Sequence, residues 1–317
     1  MPQPTAATVL NLSRQVLLGG FFPGGFVDQF VRMFGFQGIF NAGSEIAFNR
    51  ASTLPTPQPY NAGQTLQGNA LATTKLTVDL RRIGDFVKID WADQVGSTEA
   101  NDQIVQQWNA LRIATIRAVG FQIIEGTNVA PAWNGLKQQA TGSQLIGAGN
   151  GAPNGAIPTL EDFSKLVNLP RASDGSVGAG ADALIGTEKT ERQLFRLMYT
   201  QGMSIDYKII PALGVSVLHF KGRPFFIGQV AENETLGTGV GLTSCYAVKL
   251  HGETGARVLY AVPAGEQPRP YGINPYVVAI QQNVAELGMG MAVRGGVFVA
   301  EPQDIARMQG IDNSNIS

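Results

Sequence analysis

The chain has 317 residues, of which 39 are glycine, and only 15 % are charged, where about 25 % is usual in globular proteins. Hydrophobic residues make up 44 % and the formal net charge is −1, which excludes the disordered class. A sequence pI near 6.2 argues against a basic nucleic-acid binder. No stretch of 18 apolar residues occurs, so no membrane span is predicted. A surface so poor in charge indicates that much of it contacts protein.

The first 44 residues are rich in phenylalanine, spaced by Gly-Gly pairs. Phe26, Phe30 and Phe34 would share one face of a short helix. Because such an arm has no core of its own, it is predicted to lie on a surface of its own subunit or of a neighbour. These three side chains are therefore candidates for contact between subunits.

A long hairpin with an extended tip is predicted next. Residues 76–80 alternate between apolar and polar, and residues 87–91 repeat the pattern after Gly84. The tip, Ala51 to Ala72, is rich in proline and glycine and holds almost no large apolar residue, so its contacts are predicted to be intermolecular. Arg81 and Arg82 favour a salt bridge to a neighbour over a phosphate site. The candidate contact residues of this region are Pro55, Pro57, Tyr60, Lys75, Arg81 and Arg82.

The clearest predicted element is a helix from about Asn101 to Glu125. Ser97 or Thr98 can cap its start, and Gly126 suits the residue that ends it. Apolar residues recur at helical spacing and predict its buried face. These residues are Ile104, Trp108, Leu111, Ala114, Ala118 and Phe121.

The rest of the chain mixes helices and strands, which predicts an α+β fold. A helix is expected at Thr159–Leu169, a short buried strand at Ala181–Gly186 and a helix at Thr187–Met203. A hairpin is expected at 215–227, and further strands extend to the C-terminal end.

Few residues suit catalysis, metal binding or cofactor binding. Cys245 is the single cysteine and is predicted to be a small buried hydrophobe in a strand. His219 and His251 lie far apart in the sequence, which leaves little material for a zinc site or for a base beside a nucleophile. We therefore predict no catalytic residue, no metal site and no cofactor, and a protein that is not an enzyme.

One glycine motif leaves an alternative open. Gly178-Ala-Gly180-Ala-Asp-Ala183 matches the dinucleotide fingerprint G-x-G-x-x-A, which needs a strand before it and a helix after it. Loop-like residues precede it and a strand-like stretch follows, so a plain loop is favoured. A soluble α/β enzyme that binds a nucleotide through Gly178 and Gly180 is the alternative.

The order of the elements is an arm, a long two-stranded loop, a long helix, a glycine-rich middle and a β-rich end. This order resembles the major capsid proteins of tailed bacteriophages, whose Hong Kong 97 capsid fold is also used by encapsulin shells. The resemblance covers most of the chain and rests on layout and on a few stretches. These are Thr73–Leu80 with Phe86–Asp90, Asn134–Lys137 soon after the long helix, and the ending Val293–Pro302.

The resemblance implies five parts of the Hong Kong 97-like fold. They are an N-terminal arm (1–44), an E-loop that overlaps the next subunit (45–96), a peripheral domain with a spine helix (97–134), an axial domain (135–254) and return strands of the peripheral domain (255–317). Some relatives crosslink an E-loop lysine to a neighbour's asparagine. Lys75 is the E-loop lysine here, but no matching Asn and Glu pair is identifiable, and a solvated edge charge is favoured.

The function implied by the resemblance is a structural one. Hexamers and pentamers would self-assemble into the icosahedral shell of a virion, enclosing double-stranded DNA without sequence-specific binding, after assembly in the bacterial host cytoplasm. The implied partners are a scaffolding protein, a portal and a decoration protein. The sequence passes from Met1–Thr8 directly into the Phe-rich arm, so a separate scaffolding protein is expected rather than a fused one. An encapsulin-type compartment that holds a cargo enzyme is the other alternative.

Overall fold

The structure is a computed structural model, and most of the chain beyond the N-terminal region is described. The described residues are Val31 and residues 34–40, 42–53, 72–90, 100–170, 180–210, 215–250, 255–263, 265–268, 272–278 and 286–316. Within them the helices are α1 (Ala100–Glu125), α2 (Leu136–Gln139), α3 (Ala148–Gly151), α4 (Leu160–Asn168) and α5 (Glu188–Thr200). The strands are β1 (Gly35–Phe40), β2 (Glu45–Thr53), β3 (Ala72–Asp79), β4 (Arg81–Asp90), β5 (Leu145–Gly147), β6 (Ala183–Gly186), β7 (Asp206–Ile210), β8 (Val215–Phe220), β9 (Arg223–Ile227), β10 (Glu234–Leu236), β11 (Gly239–Val248), β12 (Arg257–Val262), β13 (Ile273–Val278), β14 (Glu286–Phe298) and β15 (Ile305–Ile311).

A five-stranded sheet brings distant parts of the chain together. Its order is β1-β12-β14-β13, and β4 pairs with the other side of β14. The long strand β14 is antiparallel to β4, β12 and β13, whereas β1 runs parallel to β12. The sheet therefore combines strands from the early part of the chain with strands from near its end.

The second sheet has eight strands in the order β5-β15-β11-β6-β9-β8-β7, with β10 paired to β11. The last strand of the chain, β15, belongs to this sheet. Strands β12 to β14 join the five-stranded sheet, but β15 lies between β5 and β11. Ile305 enters one core and Met308 enters the core on the other face of the sheet. A strand that is apolar on both faces is stable only inside a covered sheet, which explains its position.

The predicted hairpin is formed by β2 and β3 rather than across Gly84. Strands β2 and β3 pair antiparallel from Glu45 opposite Asp79 outward. Gly84 lies within β4, where a Cβ atom would come within 2.5 Å of the Met291 carbonyl oxygen. This glycine therefore permits close pairing with β14 instead of making a turn. Residues 54–71, which include most of the predicted tip, lie outside the described residues.

The base of the β2–β3 hairpin packs against the five-stranded sheet. Val78 and Leu80 are buried in one cluster with Leu259 and Phe298, which we call the root core. The ring centroids of Phe48 and Phe298 are 4.7 Å apart. Burial of this kind stabilises by about 25 cal/mol for each Å² of apolar surface removed from water, so the hairpin is anchored at its root.

Helix α1 confirms the predicted helix almost residue for residue. Its 26 residues span about 39 Å. Its buried side chains share the central core with residues of β14 and of the eight-stranded sheet. Those of α1 in this core are Trp108, Leu111, Ile116, Val119, Ile123 and Ile124.

The predicted buried face of α1 is correct only in part. Trp108 and Leu111 are buried, but Ala114 is exposed and Phe121 has 44 % of its surface exposed. After Leu111 the next buried residue is Thr115, four positions later, and not Ala114, three positions later. The predicted face was chosen to include the large Phe121, so in the second half of the helix it is displaced by one residue from the observed buried face.

The two faces of α1 can be separated by a matched pair of substitutions. Trp108→Asp is expected to prevent soluble expression, because it removes a large core side chain and leaves an unpaired buried charge, each costing several kcal/mol. Ala114→Asp, on the exposed face, is expected to change stability by less than about 1 kcal/mol. Soluble yield and thermal unfolding measure both. Equal effects of the two substitutions would contradict this orientation of the helix.

A buried charge network joins the end of α1 to the eight-stranded sheet. Lys137 donates hydrogen bonds to Glu125, with the Nζ–Oε2 distance at 2.7 Å, and lies 2.6 Å from Glu234 Oε1. Arg307 lies 3.0 Å from the same Oε1 of Glu234. Ser244 donates to the second oxygen of Glu234 at 2.5 Å and accepts from Arg307 Nε. Two acids and two bases thus alternate, and the network carries no net charge.

The network shifts the pKa of Lys137 and the pKa of Glu234. Burial disfavours the charged form of Lys137, but its hydrogen bonds to Glu125 and Glu234 raise its pKa above the usual value. Burial likewise opposes ionisation of Glu234, yet hydrogen bonds from Lys137 and Ser244 and the charge of Arg307 lower its pKa. The folded state lowers the pKa of Glu234, so the ionised carboxylate stabilises the folded protein. This stabilisation is fully present above the unfolded pKa of about 4.3 and is lost as the pH falls through the lower pKa of the folded state.

Glu234→Gln is expected to lower the free energy of unfolding by about 3 kcal/mol at pH 7, since Lys137 and Arg307 lose a shared counter-charge in a mostly buried site. Glu232→Gln is the matched control, because Glu232 pairs with Lys189 at 3.6 Å on the surface, where such pairs contribute at most about 1 kcal/mol. Urea unfolding at pH 7 and pH 4 measures both. A Glu234→Gln variant as acid-sensitive as the unsubstituted protein would contradict the role given to this carboxylate.

Candidate functional site

The predicted contact residues of the arm have different outcomes. Phe26 and Phe30 lie outside the described residues. Phe34 is only 1 % exposed and packs into the central core with Val31, so its side chain contacts its own subunit. Phe34 is buried because β1 pairs with β12 from Gly35 onward, which places the residue before the strand next to the core.

The E-loop candidates are only partly described. Pro55, Pro57 and Tyr60 lie outside the described residues, and their role stays a prediction. Lys75 is exposed on β3, opposite Asn49 of β2 in the register. Its position on the surface leaves it accessible to a neighbouring molecule.

The arginine pair divides between the two faces of β4. Arg81 donates to the Ala132 carbonyl and forms an ion pair with Asp79, with Nη2 and Oδ2 2.7 Å apart. The indole of Trp133 donates to the Arg81 carbonyl at 3.0 Å. The predicted salt bridge of Arg81 therefore forms within the chain, where the guanidinium ties β4 to the loop after α1. Arg82 is exposed on the other face, with Phe86, and remains a candidate contact residue.

The described residues carry little that could support chemistry. Cys245 is fully buried in β11, as predicted, and burial raises the pKa of its thiol, which keeps it protonated. Gly178 lies outside the described residues, and the strand β6, not a helix, follows Gly180. Within the described part of the chain, no group of three or more His, Cys, Asp or Glu side chains could hold a metal ion. The helices described there include none that is long and apolar enough to cross a membrane.

An exposed apolar surface lies at one end of the eight-stranded sheet. We call it the α5–β7 patch; Tyr199 of α5 is 73 % exposed and Ile209 of β7 is 70 % exposed. The rings of Phe195 and Tyr207 join the helix to the strand, with centroids 6.4 Å apart. Met203, in the connection between them, is also exposed. The patch therefore consists of Phe195, Tyr199, Met203, Tyr207 and Ile209.

Local sequence explains the patch, although the sequence analysis missed it. Helix α5 buries Leu194 and Met198 against the sheet, so the positions one residue later, Phe195 and Tyr199, share its outer side. The signal in the sequence was the aromatic pair Phe195 and Tyr199, four residues apart, directly after the apolar pair Leu194 and Met198. Such a helix has more apolar surface than its own subunit covers.

Charged groups surround the patch. Arg192 pairs with Glu188 at 2.6 Å and Lys208 pairs with Asp206 at 2.9 Å. Burial and the nearby Glu188 raise the pKa of Glu191, and burial with Glu191 raises the pKa of Tyr207. The patch therefore has an apolar centre and a charged rim, in which Glu191 and the exposed Arg196 belong to neither of these pairs.

Exposed apolar side chains also occur near the turn between β10 and β11. Val240, the second residue of β11, is 76 % exposed, and Ile157, in the loop before α4, is also exposed. The Thr238 amide donates to Asn154 Oδ1 at 3.0 Å, which holds the turn against that loop. Gly237 has a positive φ of 58°, the left-handed conformation that favours glycine.

No known family model matches the sequence, and no curated protein matches it in sequence. Several solved structures are nevertheless similar in fold. The holo-SrpI encapsulin complex of Synechococcus elongatus PCC 7942 has a TM-score of 0.69 at 13 % identity, covering 100 % of this chain and 99 % of that one. The capsid of an empty GTA particle has a TM-score of 0.63 at 12 % identity, covering 98 % and 100 %. The capsid of cyanophage A-1(L) has a TM-score of 0.61 at 11 % identity, covering 92 % and 95 %.

These similarities extend over nearly the whole length of each chain, so they concern the entire architecture and not one shared motif. The α+β arrangement matches as well, with a long helix on a five-stranded sheet and a second, larger sheet beside it. The chain therefore has the Hong Kong 97 capsid fold.

Proposed function

We propose that this protein is a major capsid protein whose copies self-assemble into the icosahedral shell around the double-stranded DNA of a tailed bacteriophage. The supporting observation is a fold shared along its whole length with shell proteins, on a subunit that exposes large apolar side chains such as Tyr199 and Ile209. The role is structural and requires no catalysis. Hexamers and pentamers form the shell, which is assembled in the bacterial host cytoplasm and becomes part of the virion.

Exposed apolar surface supports assembly on physical grounds. Soluble monomers rarely expose contiguous apolar patches larger than a few hundred Å², and larger ones mark interaction sites. In this chain Tyr199, Ile209 and Val240 are each largely exposed. Contact with further copies of the chain would remove these side chains from water and so stabilise the assembled state.

The division into functional parts belongs to this proposal. The arm and the E-loop reach neighbouring subunits, α1 and the five-stranded sheet form the peripheral domain, and the eight-stranded sheet with β15 forms the axial domain. A scaffolding protein, a portal and a decoration protein are the proposed partners. In the described residues, surface cations such as Lys165 form ion pairs with acids of the same chain, here Glu161. Cations that are paired in this way contribute less to binding DNA phosphates, which suits a shell that encloses DNA without sequence-specific binding.

A second candidate is a compartment of the encapsulin type that holds a cargo protein. It is favoured by the encapsulin similarity, which has a TM-score of 0.69 and covers 99 % of that chain. The nucleotide-binding enzyme has less support, because β6 follows Gly180 where the fingerprint needs a helix.

The proposal is tested by the size and contents of the purified protein. Light scattering and negative-stain imaging are expected to detect particles of many copies, and nuclease-protected double-stranded DNA is expected inside particles from infected cells. Particles that hold a protein cargo and no nucleic acid would favour the compartment. A monomer that binds NAD would contradict both shell functions.

Deleting the tip Thr53–Asn69 is expected to leave a folded subunit but to abolish or misshape the particles. The root core around Val78 and Phe298 remains intact in this deletion, so the unfolding temperature should change little. The tip sequence has few large apolar residues to contribute to its own domain.

The matched control replaces the same residues, 53–69, with a Gly/Ser segment of equal length, which separates the chemistry of the tip from its length. Normal particles from the deletion variant would refute the assignment of the tip to contacts between subunits.

A further inference from the structure

We propose that the two sheets are joined by a proton-sensitive contact, in which the buried carboxyl group of Asp304 stabilises the junction when protonated and loosens it when ionised. The inference goes beyond the proposed function, because it concerns a single copy of the chain and does not depend on whether that copy joins a shell. We call Asp182, Lys249, Leu250, Glu301 and Asp304 the crossover junction.

Two connections between the sheets meet at the crossover junction. Residues 249–256 lead from β11 of the eight-stranded sheet to β12 of the five-stranded sheet, and residues 299–304 lead from β14 back to β15. The Lys249 amide donates to the Asp304 carbonyl oxygen at 2.9 Å, so the two connections are hydrogen-bonded to each other. A change at this place therefore affects both connections at once.

Asp304 is the buried acid of the crossover junction, with only 1 % of its surface exposed. Its Oδ2 accepts a hydrogen bond from the Glu301 amide at 2.9 Å, and its own amide donates to the Glu301 carbonyl oxygen at 2.9 Å. These two bonds close the turn that precedes β15 and hold the carboxyl group inside the protein. A backbone amide is a neutral donor and offsets only part of the hydration that a buried carboxylate loses, so the neutral acid is favoured.

Two of the charged neighbours of Asp304 are also acids. Among the described residues, the charges that act on it are Glu301 before β15, Asp182 before β6 and Lys249 after β11. Asp182 Oδ2 accepts from the Leu250 amide at 3.0 Å, so this acid lies beside the same connection that contacts Asp304. Three carboxylates and one ammonium group leave an excess of two negative charges when all are ionised. One proton on Asp304 removes half of that excess.

Burial, more than any other cause, raises the pKa of Asp304 to about 6; Glu301 and Asp182 add to the rise, while the Glu301 amide and Lys249 oppose it. In an opened junction the carboxyl group is in water, where the pKa of an aspartic acid is about 3.9. The closed junction therefore binds the proton more tightly than the opened one.

The sign of the pH dependence follows from this difference. Above the raised pKa of Asp304 the ionised carboxylate destabilises the closed junction by its full amount. The destabilisation decreases as the pH falls below about 6, and it is absent below the unfolded pKa of about 3.9. This direction is opposite to that of Glu234, whose ionised form stabilises the folded protein.

Urea unfolding of the full chain, at a concentration too low for assembly, tests the inference. The unfolding equilibrium constant of the unsubstituted protein, divided by that of Asp304→Asn, is expected to rise about tenfold from pH 5 to pH 7. Asparagine keeps an oxygen that can accept from the Glu301 amide, but it does not ionise in this range. The ratio cancels the groups that titrate equally in both proteins.

Asp312→Asn is the matched control for this ratio. Asp312 follows the other end of β15, where its Oδ1 accepts from the Ser314 amide at 2.8 Å, and it does not belong to the crossover junction. The corresponding ratio for Asp312→Asn is expected to stay constant within about twofold from pH 5 to pH 7.

Carbon-13 NMR of the aspartate carboxyl groups measures the titration itself, with the Asp304 signal assigned through its own backbone. Asp182→Asn is expected to lower the pKa of Asp304, because it removes a like charge. Lys249→Met is expected to raise the pKa of Asp304, because it removes an opposite charge. A carboxyl group with a structural role alone would show neither shift.

An unfolding ratio that does not change between pH 5 and pH 7 would overturn the inference, and so would an Asp304 signal that titrates near the ordinary value of about 3.9. If Asp304→Asn does not fold, the carbon titration of the unsubstituted protein and of the Asp182 and Lys249 variants decides in its place. None of these measurements uses assembled particles, so their outcome is separate from that of the proposed shell function.

Discussion

The network of Glu125, Lys137, Glu234 and Arg307 determines how the two halves of this molecule meet. Glu125 ends α1, where the helix dipole disfavours an acid, and Lys137 compensates for that charge. Lys137 also contacts Glu234, which Arg307 and Ser244 bind in turn from two strands of the eight-stranded sheet. Buried ion pairs require good geometry to offset desolvation, so they specify one arrangement more strongly than apolar contacts do. The spine helix is thereby held in one orientation relative to the sheet that carries Ile209 and Val240.

The five-stranded sheet extends this constraint to the E-loop. One of its faces packs against α1 through Met291 and Val293, and the other packs against the hairpin root through Leu259 and Phe298. A displacement of α1 would therefore disturb the base of the β2–β3 hairpin. The surfaces proposed for assembly are connected by rigid elements, which is what a shell of fixed curvature requires.

Elements with a strong local signal were predictable from the sequence, whereas their partners in space were not. The bounds of α1 and the burial of Cys245 followed from periodicity, capping and apolar context. The position of β15 did not, because strand pairing is a long-range property and both sheets could have accepted an apolar strand. The α5–β7 patch was missed for a related reason. An aromatic residue beside the buried face of a helix can be recognised as part of an exposed apolar patch only when the neighbouring strand is known. Phe195 is an example, because its partner Tyr207 lies on β7.

The low charge content of the chain has a structural meaning in this fold. Several of its few charges are used inside the subunit, in the network of Glu125, Lys137, Glu234 and Arg307 and in pairs such as Arg81 with Asp79. Apolar contacts lack the directionality of ion pairs, so specificity between copies has to come from shape and position. A turn held by Asn154 between β10 and β11 and a patch framed by α5 and β7 are such shapes. Because apolar contacts depend little on ionic strength, the affinity between copies in the proposed shell should be governed by how well their surfaces fit.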